Sequence, residues 1–176
     1  MNKYVFNSHN LSCVSGITES LKKVYLTNKP VIVCIGSDLA IGDSLGPLIG
    51  SILQTKLQGS AYVYGTLNSP VTAKESETVA KTIKKLHPNS KILAIDAGVG
   101  SINDVGLIKI SDVGIKPGLG VNKTLPIIGD ASIIGIVAEK TDALENILNK
   151  TRLSLIYKMC NLISQGIENY LLKQSI

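Results

Sequence analysis

Two aspartates, Asp43 and Asp96, each follow a short apolar run and a change of chain direction, and together they are the residues of this chain best suited to chemistry. The first run, Val31 to Ile35, has no polar alternation and reads as a strand covered on both faces of a parallel sheet. Gly36 permits a sharp exit, Asp38 and Asp43 lie in the loop, and Gly46-Pro47 opens a helix. The second run, KILAID from Lys91 to Asp96, ends on its acid and is followed by a predicted turn from Ala97 to Gly100. Parallel strands deliver both acids to the same sheet edge, where ligands of open α/β sheets bind, and neighbouring strands lie about 4.8 Å apart. Two carboxylates that close cannot both ionise cheaply. One keeps a proton, and the pair can serve as general base and general acid on a water attacking an amide. The dipole of the helix at Pro47 would lower the pKa of Asp43, making it the base and Asp96 the proton holder. The same residues also admit a plain structural use: Asp43 or Ser44 as a helix cap, Asp96 as a tie for its turn.

Metal binding is the other use for acids at strand ends, with Asp38, Asp43, Asp96 and Glu139 as oxygen donors. Nickel or zinc would also want imidazole or thiolate. His87 precedes the strand that ends at Asp96, which places it about 17 Å away at the opposite edge. His9 falls in the chain's unpatterned start, as a surface residue. No metal and no cofactor is expected.

The elements around the acids follow from periodicity. Ser15 is placed to cap a helix through Leu26, with Ile17, Leu21, Val24 and Tyr25 on one face. Pro47 to Leu57 is a helix ended by Gly59, and Ala61 to Tyr64 a second strand. Thr72 and Glu75 form a capping box for a helix with Val79, Ile83 and Leu86 inward, stopped by His87-Pro88. Leu107 to Ile110 and Ser132 to Val137 are further strands, the latter leading to Glu139. Between them Ser111 to Thr124 is a long loop with three glycines, a length that is usually functional. Thr141 and Thr151 would cap two final helices, the last with Leu153, Ile156, Tyr157, Cys160, Ile163, Ile167, Tyr170 and Leu171 on one face. Strands alternating with amphipathic helices make a three-layer α/β domain with a mostly parallel sheet. The 176 residues form a single domain, 1–176.

Composition excludes several classes. Three cysteines are an odd number, and Cys34 and Cys160 fall on apolar faces, so a reducing, cytoplasmic setting is expected. No basic region followed by an apolar run opens the chain, and no segment reaches 18 uninterrupted apolar residues, so neither secretion nor membrane spanning is expected. The net charge of +5 comes from scattered lysines without interleaved aromatics, which does not make a nucleic-acid surface. Lys123 does not directly follow a glycine, so the long loop is not a P-loop. There is no Gly-x-Ser-x-Gly elbow and no Cys/His pair.

Four segments, CIGSDLAIGDSLGP, TIKKLHPNSKILAIDAGVGS, IKISDVGIKPGLGV and IIGIV, resemble in order and spacing the core of the bacterial spore germination protease. The whole chain is similar to the short sporulation proteins of the YyaC type, a family of unknown biochemical function related to that protease. The resemblance spans residues 30 to 140. It implies a three-layer α/β/α sandwich of the phosphorylase/hydrolase-like kind, shared with hydrogenase maturation endopeptidases. It also implies an aspartic-type endopeptidase acting on small acid-soluble spore proteins, because the protease's two functional aspartates fall in motifs matching Asp43 and Asp96. The maturation endopeptidases bind nickel through acids and a histidine, and no matching histidine is evident in this chain. The protease motif carries Asn and Thr-Pro where this chain has Ser37 and Ile41-Gly42.

The expected function is therefore a peptidase-like protein of sporulating cells, with Asp43 and Asp96 activating water. Ser37 and Asp38 beside the first acid, and Gly114, Lys116, Gly118 and Gly120 in the long loop, are expected to shape a peptide groove. The partner would be a protein or peptide substrate, with oligomeric state left open. A non-catalytic binding protein retaining the fold, and a metal-dependent maturation endopeptidase, are the alternatives.

Overall fold

The protein, seen in a computed structural model, is described for residues 2–24, 26, 29–117, 126–140 and 151–172. Its elements in chain order are β1 (Lys3–Asn7), α1 (Cys13–Val24), β2 (Val31–Cys34), α2 (Leu45–Lys56), β3 (Tyr62–Tyr64), α3 (Ser76–Leu86), β4 (Ile92–Gly100), β5 (Leu107–Ser111), β6 (Ala131–Glu139) and α4 (Leu153–Leu172). Single 3-10 turns at Gly42–Ser44 and Ile102–Asp104 precede α2 and β5. The expected cap at Thr141 lies outside the described residues.

Six strands form one sheet in the order β1-β5-β6-β4-β2-β3. The pairs β2–β3, β2–β4 and β4–β6 are parallel, and β1–β5 and β5–β6 are antiparallel. The mixed character comes from β5, which follows β4 after only residues 101–106, too few for a helical crossover, and so runs antiparallel to its neighbours β6 and β1. All four residues of β2 are buried, as an unbroken apolar run between two covered faces requires.

Two cores flank the sheet. Ile17 and Leu21 of α1, Ile49 and Leu53 of α2, and Ile163 and Ile167 of α4 pack on Ile32, Cys34, Leu93 and Ile95. On the other face Ala80 and Ile83 of α3, with Ile115 from the long loop and Ile128 just before β6, cover Val31, Val33, Ile92 and Ala94. This is the three-layer α/β arrangement, with apolar side chains of alternate parity feeding opposite cores. From β2 the chain passes through α2 to β3 on one side, then through α3 to β4 on the other. The gap between β2 and β4 is thus the point where the winding reverses, the place where open α/β sheets bind ligands at their carboxyl edge.

Several sequence expectations are corrected. The start of the chain is not unpatterned: β1 alternates exposed and half-buried residues, with Tyr4 and Phe6 against the larger core. α1 begins at Cys13, and the Ser15 hydroxyl donates to the Ser12 carbonyl inside the helix rather than capping it. Leu86, Leu153 and Tyr157 face outward, at 62%, 58% and 65% exposure, because each lies a step off the buried stripe. Thr151 is buried, and its hydroxyl has no hydrogen-bond partner among the described residues, so it is not the cap of α4. The Thr72–Glu75 box does form: the Thr72 N–H and hydroxyl both donate to Glu75 Oε2, at 3.1 and 2.8 Å. Cys13, Cys34 and Cys160 are free thiols and all buried. Burial pushes the thiols of Cys34 and Cys160 up, the latter to about 12.

Candidate active site

The site is built on the exit from β2. Ile35 N–H donates to the Ile95 carbonyl of β4 at 2.7 Å, and Gly36 N–H donates to the Val71 carbonyl at 2.9 Å. Gly36 then turns at a φ of +142°, open to glycine alone without strain. The Asp43 carbonyl oxygen occupies the place where a Cβ on Gly36 would stand, and Pro47 Cδ lies 3.1 Å from it. The loop is thereby folded back onto the strand. Ser37 N–H donates to the Asp43 carbonyl at 3.2 Å, and Asp43 N–H donates to the Ala40 carbonyl at 3.0 Å.

Asp43 is half-buried in the 3-10 turn Gly42–Ser44, which packs against β4, α2 and α4. Neither this turn nor α2 has a side-chain cap, so the capping role does not hold. The Ser44 hydroxyl instead donates to the Ile41 carbonyl at 2.6 Å. Burial raises the Asp43 carboxyl above the usual carboxylate range, and the Ser37 N–H offsets part of that. The expectation of a depressed value is therefore reversed, because burial raises the carboxyl more than the Ser37 N–H lowers it.

Asp96 is 8% exposed and lies in the middle of β4, not at its end. The predicted turn Ala97 to Gly100 is a continuation of the strand, held by pairing with β6 through Glu139. Asp96 nonetheless faces the carboxyl edge of β2, because β2 stops first. Cys34 pairs with Ile95, so the next level sets Asp96 beside Ile35, one residue before Gly36. Its Oδ1 accepts the Ala97 N–H at 2.8 Å. Strand alternation puts its side chain on the face of Ala94, the face covered by α3 and the long loop. Both acids thus border the two-residue exit Ile35–Gly36, one from the loop and one from the neighbouring strand.

Other candidates are dispersed. Ser37 is half-buried, and its Oγ accepts the Leu39 N–H at 3.2 Å, while Asp38 is exposed. Glu139 pairs with Gly100, four residues beyond Asp96 and hence about 13 Å along the sheet. His87 closes α3 and stacks on Tyr62 with ring centroids 3.8 Å apart, its Nε2 2.8 Å from the Tyr64 hydroxyl. It sits at the amino end of β4, as expected. His9 follows β1, three strands across from β4, with its Nδ1 3.0 Å from Lys158 Nζ. Among the described residues no three His, Cys, Asp or Glu side chains converge to hold a metal ion. With both histidines elsewhere, the described residues do not fit a nickel or zinc centre.

Gly114 lies against the main chain of Ile128 and Gly129, and Ile115 pairs with Ile128 through hydrogen bonds of 2.9 and 2.7 Å. Lys116 is exposed, and Gly118 and Gly120 lie outside the described residues. Sequence reasoning passed over Val71, whose carbonyl anchors Gly36; only the preceding Asn68-Ser69-Pro70 turn hinted that the chain returns there.

The crystal structure of a [NiFe] hydrogenase maturation protease, HycI from Thermococcus kodakarensis KOD1, superposes with a TM-score of 0.58. The match covers 87% of this chain and 99% of that one, at 16% identity, a likeness of fold. The uncharacterized protein YyaC of Bacillus subtilis (strain 168) is 41% identical over 152 residues, 86% of this chain and 73% of that protein. The model of a family described as protein of unknown function (DUF1256) matches residues 4–166, and the chain belongs to that family.

Proposed function

We propose that the protein is a cytoplasmic, sporulation-associated endopeptidase of aspartic type, in which Asp43 and Asp96 activate water against a peptide bond. The observation that carries this reading is the placement of half-buried Asp43 and buried Asp96 at the Ile35–Gly36 exit, the one in the loop that leaves it and the other on the neighbouring strand, at the reversal point of the sheet. In the reaction the ionised carboxylate takes a proton from water as its oxygen attacks the amide carbon. The protonated partner then gives its proton to the leaving nitrogen. The raised Asp43 carboxyl suits the proton-holding role, leaving Asp96 as the base. The protease-like fold supports the reaction class, and small acid-soluble spore proteins are the substrates to try.

Binding without cutting is the second reading. It is favoured by the apolar, exposed Leu39 and Ile41 in the loop that carries Asp43, which suit a protein partner. Incubation with small acid-soluble spore proteins separates the two. Wild type is expected to cut them, and Asp43→Asn and Asp96→Asn to lose about 10²- to 10⁴-fold in rate. Intact substrate bound to folded wild type would replace the peptidase by the binding protein.

A further inference from the structure

A groove of about 630 Å³ opens at the sheet margin beyond β3, with Gln54 of α2 on one wall and Thr78 and Val79 of α3 on the other. Its floor is the main chain of β3, the last strand of the sheet. Tyr62 N–H donates to the Pro30 carbonyl at 3.0 Å, so strand alternation turns the N–H and C=O of Val63 away from β2 and into the groove. Neither has a hydrogen-bond partner among the described residues. Unpaired main-chain groups on a strand margin are a template for another extended chain.

The chemistry of the walls selects main chain rather than charge. Gln54, Thr78 and Val79 are uncharged, and Lys74 and Glu75 bring opposite signs. The groove also points to the edge that carries the acids: Pro70 and Val71 line it, and the Val71 carbonyl receives the Gly36 N–H at the exit of β2. An extended segment paired with Val63 therefore leads towards Asp43 and Asp96.

We propose that the outer margin of β3 is a substrate-docking site, at which an extended, uncharged segment of the protein substrate adds a strand beside Val63. This rests on the peptidase reading for the identity of the partner, while the docking itself is read independently of cleavage. The test uses full-length Asp96→Asn protein, labelled with ¹⁵N, and a small acid-soluble spore protein as probe. Amide exchange at Val63 is expected to be fast in the free protein and to slow by about tenfold or more on saturation. Gln54→Trp, which fills the groove from an exposed position on α2, is expected to weaken binding by about tenfold, as two lost main-chain hydrogen bonds would. Val63 exchange that does not change on binding, binding unaffected by Gln54→Trp, or no binding at all overturns the proposal. Cleavage of the same probe by wild type, scored separately, reports on the peptidase reading, so the two failures are distinguishable.

Discussion

Replacing Gly36 by alanine is expected to undo the turn that carries Asp43, and the loss can be worked from two separate contributions. A side chain at a φ of +142° strains the backbone by about 1 to 3 kcal/mol. The new Cβ would also stand where the Asp43 carbonyl oxygen is and 3.1 Å from Pro47 Cδ, an overpacking cost of about 1 to 3 kcal/mol. Together they come to about 4 kcal/mol, a fall in Tm on the order of 8 to 16 °C for a chain of this size. Gly59→Ala is the matched control, since Gly59 also has a positive φ, +92°, but a Cβ there meets nothing within 4 Å. It should cost about 1 kcal/mol and 2 to 4 °C. Urea unfolding followed by circular dichroism, with the slope m checked for constancy, measures both. Equal losses at the two positions would refute the claim that contact with Asp43, rather than backbone strain alone, makes Gly36 necessary. Retention of cleavage in a folded Gly36→Ala protein would refute its link to the site.

Asp43→Asn tests the raised carboxyl through stability. A folded-state pKa above the unfolded one means that the native protein binds more protons, so this group lowers stability as pH rises. The asparagine variant should match wild type below the ordinary carboxylate value, gain on it through the window up to the raised value, and hold that gain at neutral pH. Urea midpoints across pH check this, and a difference independent of pH would sink it. His87→Ala should cost about 1 to 2 kcal/mol through the lost Tyr62 stacking and Tyr64 hydrogen bond, with cleavage rates unchanged; loss of cleavage in the folded variant would put His87 in the mechanism. Tyr170→Phe removes a buried hydroxyl that accepts the Leu26 N–H at 3.2 Å and donates to its carbonyl at 3.3 Å. The expected loss of about 1 to 3 kcal/mol is read from urea midpoints, and no loss would mean that Leu26 finds other partners.

By itself the sequence determined the alternation of apolar strands and amphipathic helices, the buried β2, and the two acids that follow apolar runs. These are local properties: burial on both faces leaves an unbroken apolar run, and a helix leaves a period of 3.6. It did not reveal β1, because a five-residue margin strand acquires its meaning only from pairing with β5. It also misplaced the end of β4, since glycine and alanine after Asp96 read as a turn until β6 supplies their partners. What only the tertiary structure decided is why Asp96 stands at a ligand-binding edge. Its own strand runs on for four residues, and the edge is made by β2 stopping one level below it. Likewise Asp43 reads in sequence as a cap with a depressed pKa, and becomes a desolvated carboxyl only when β4 and α4 pack on its turn. Strand ends and solvation are set by neighbours distant in sequence, and no local pattern encodes them.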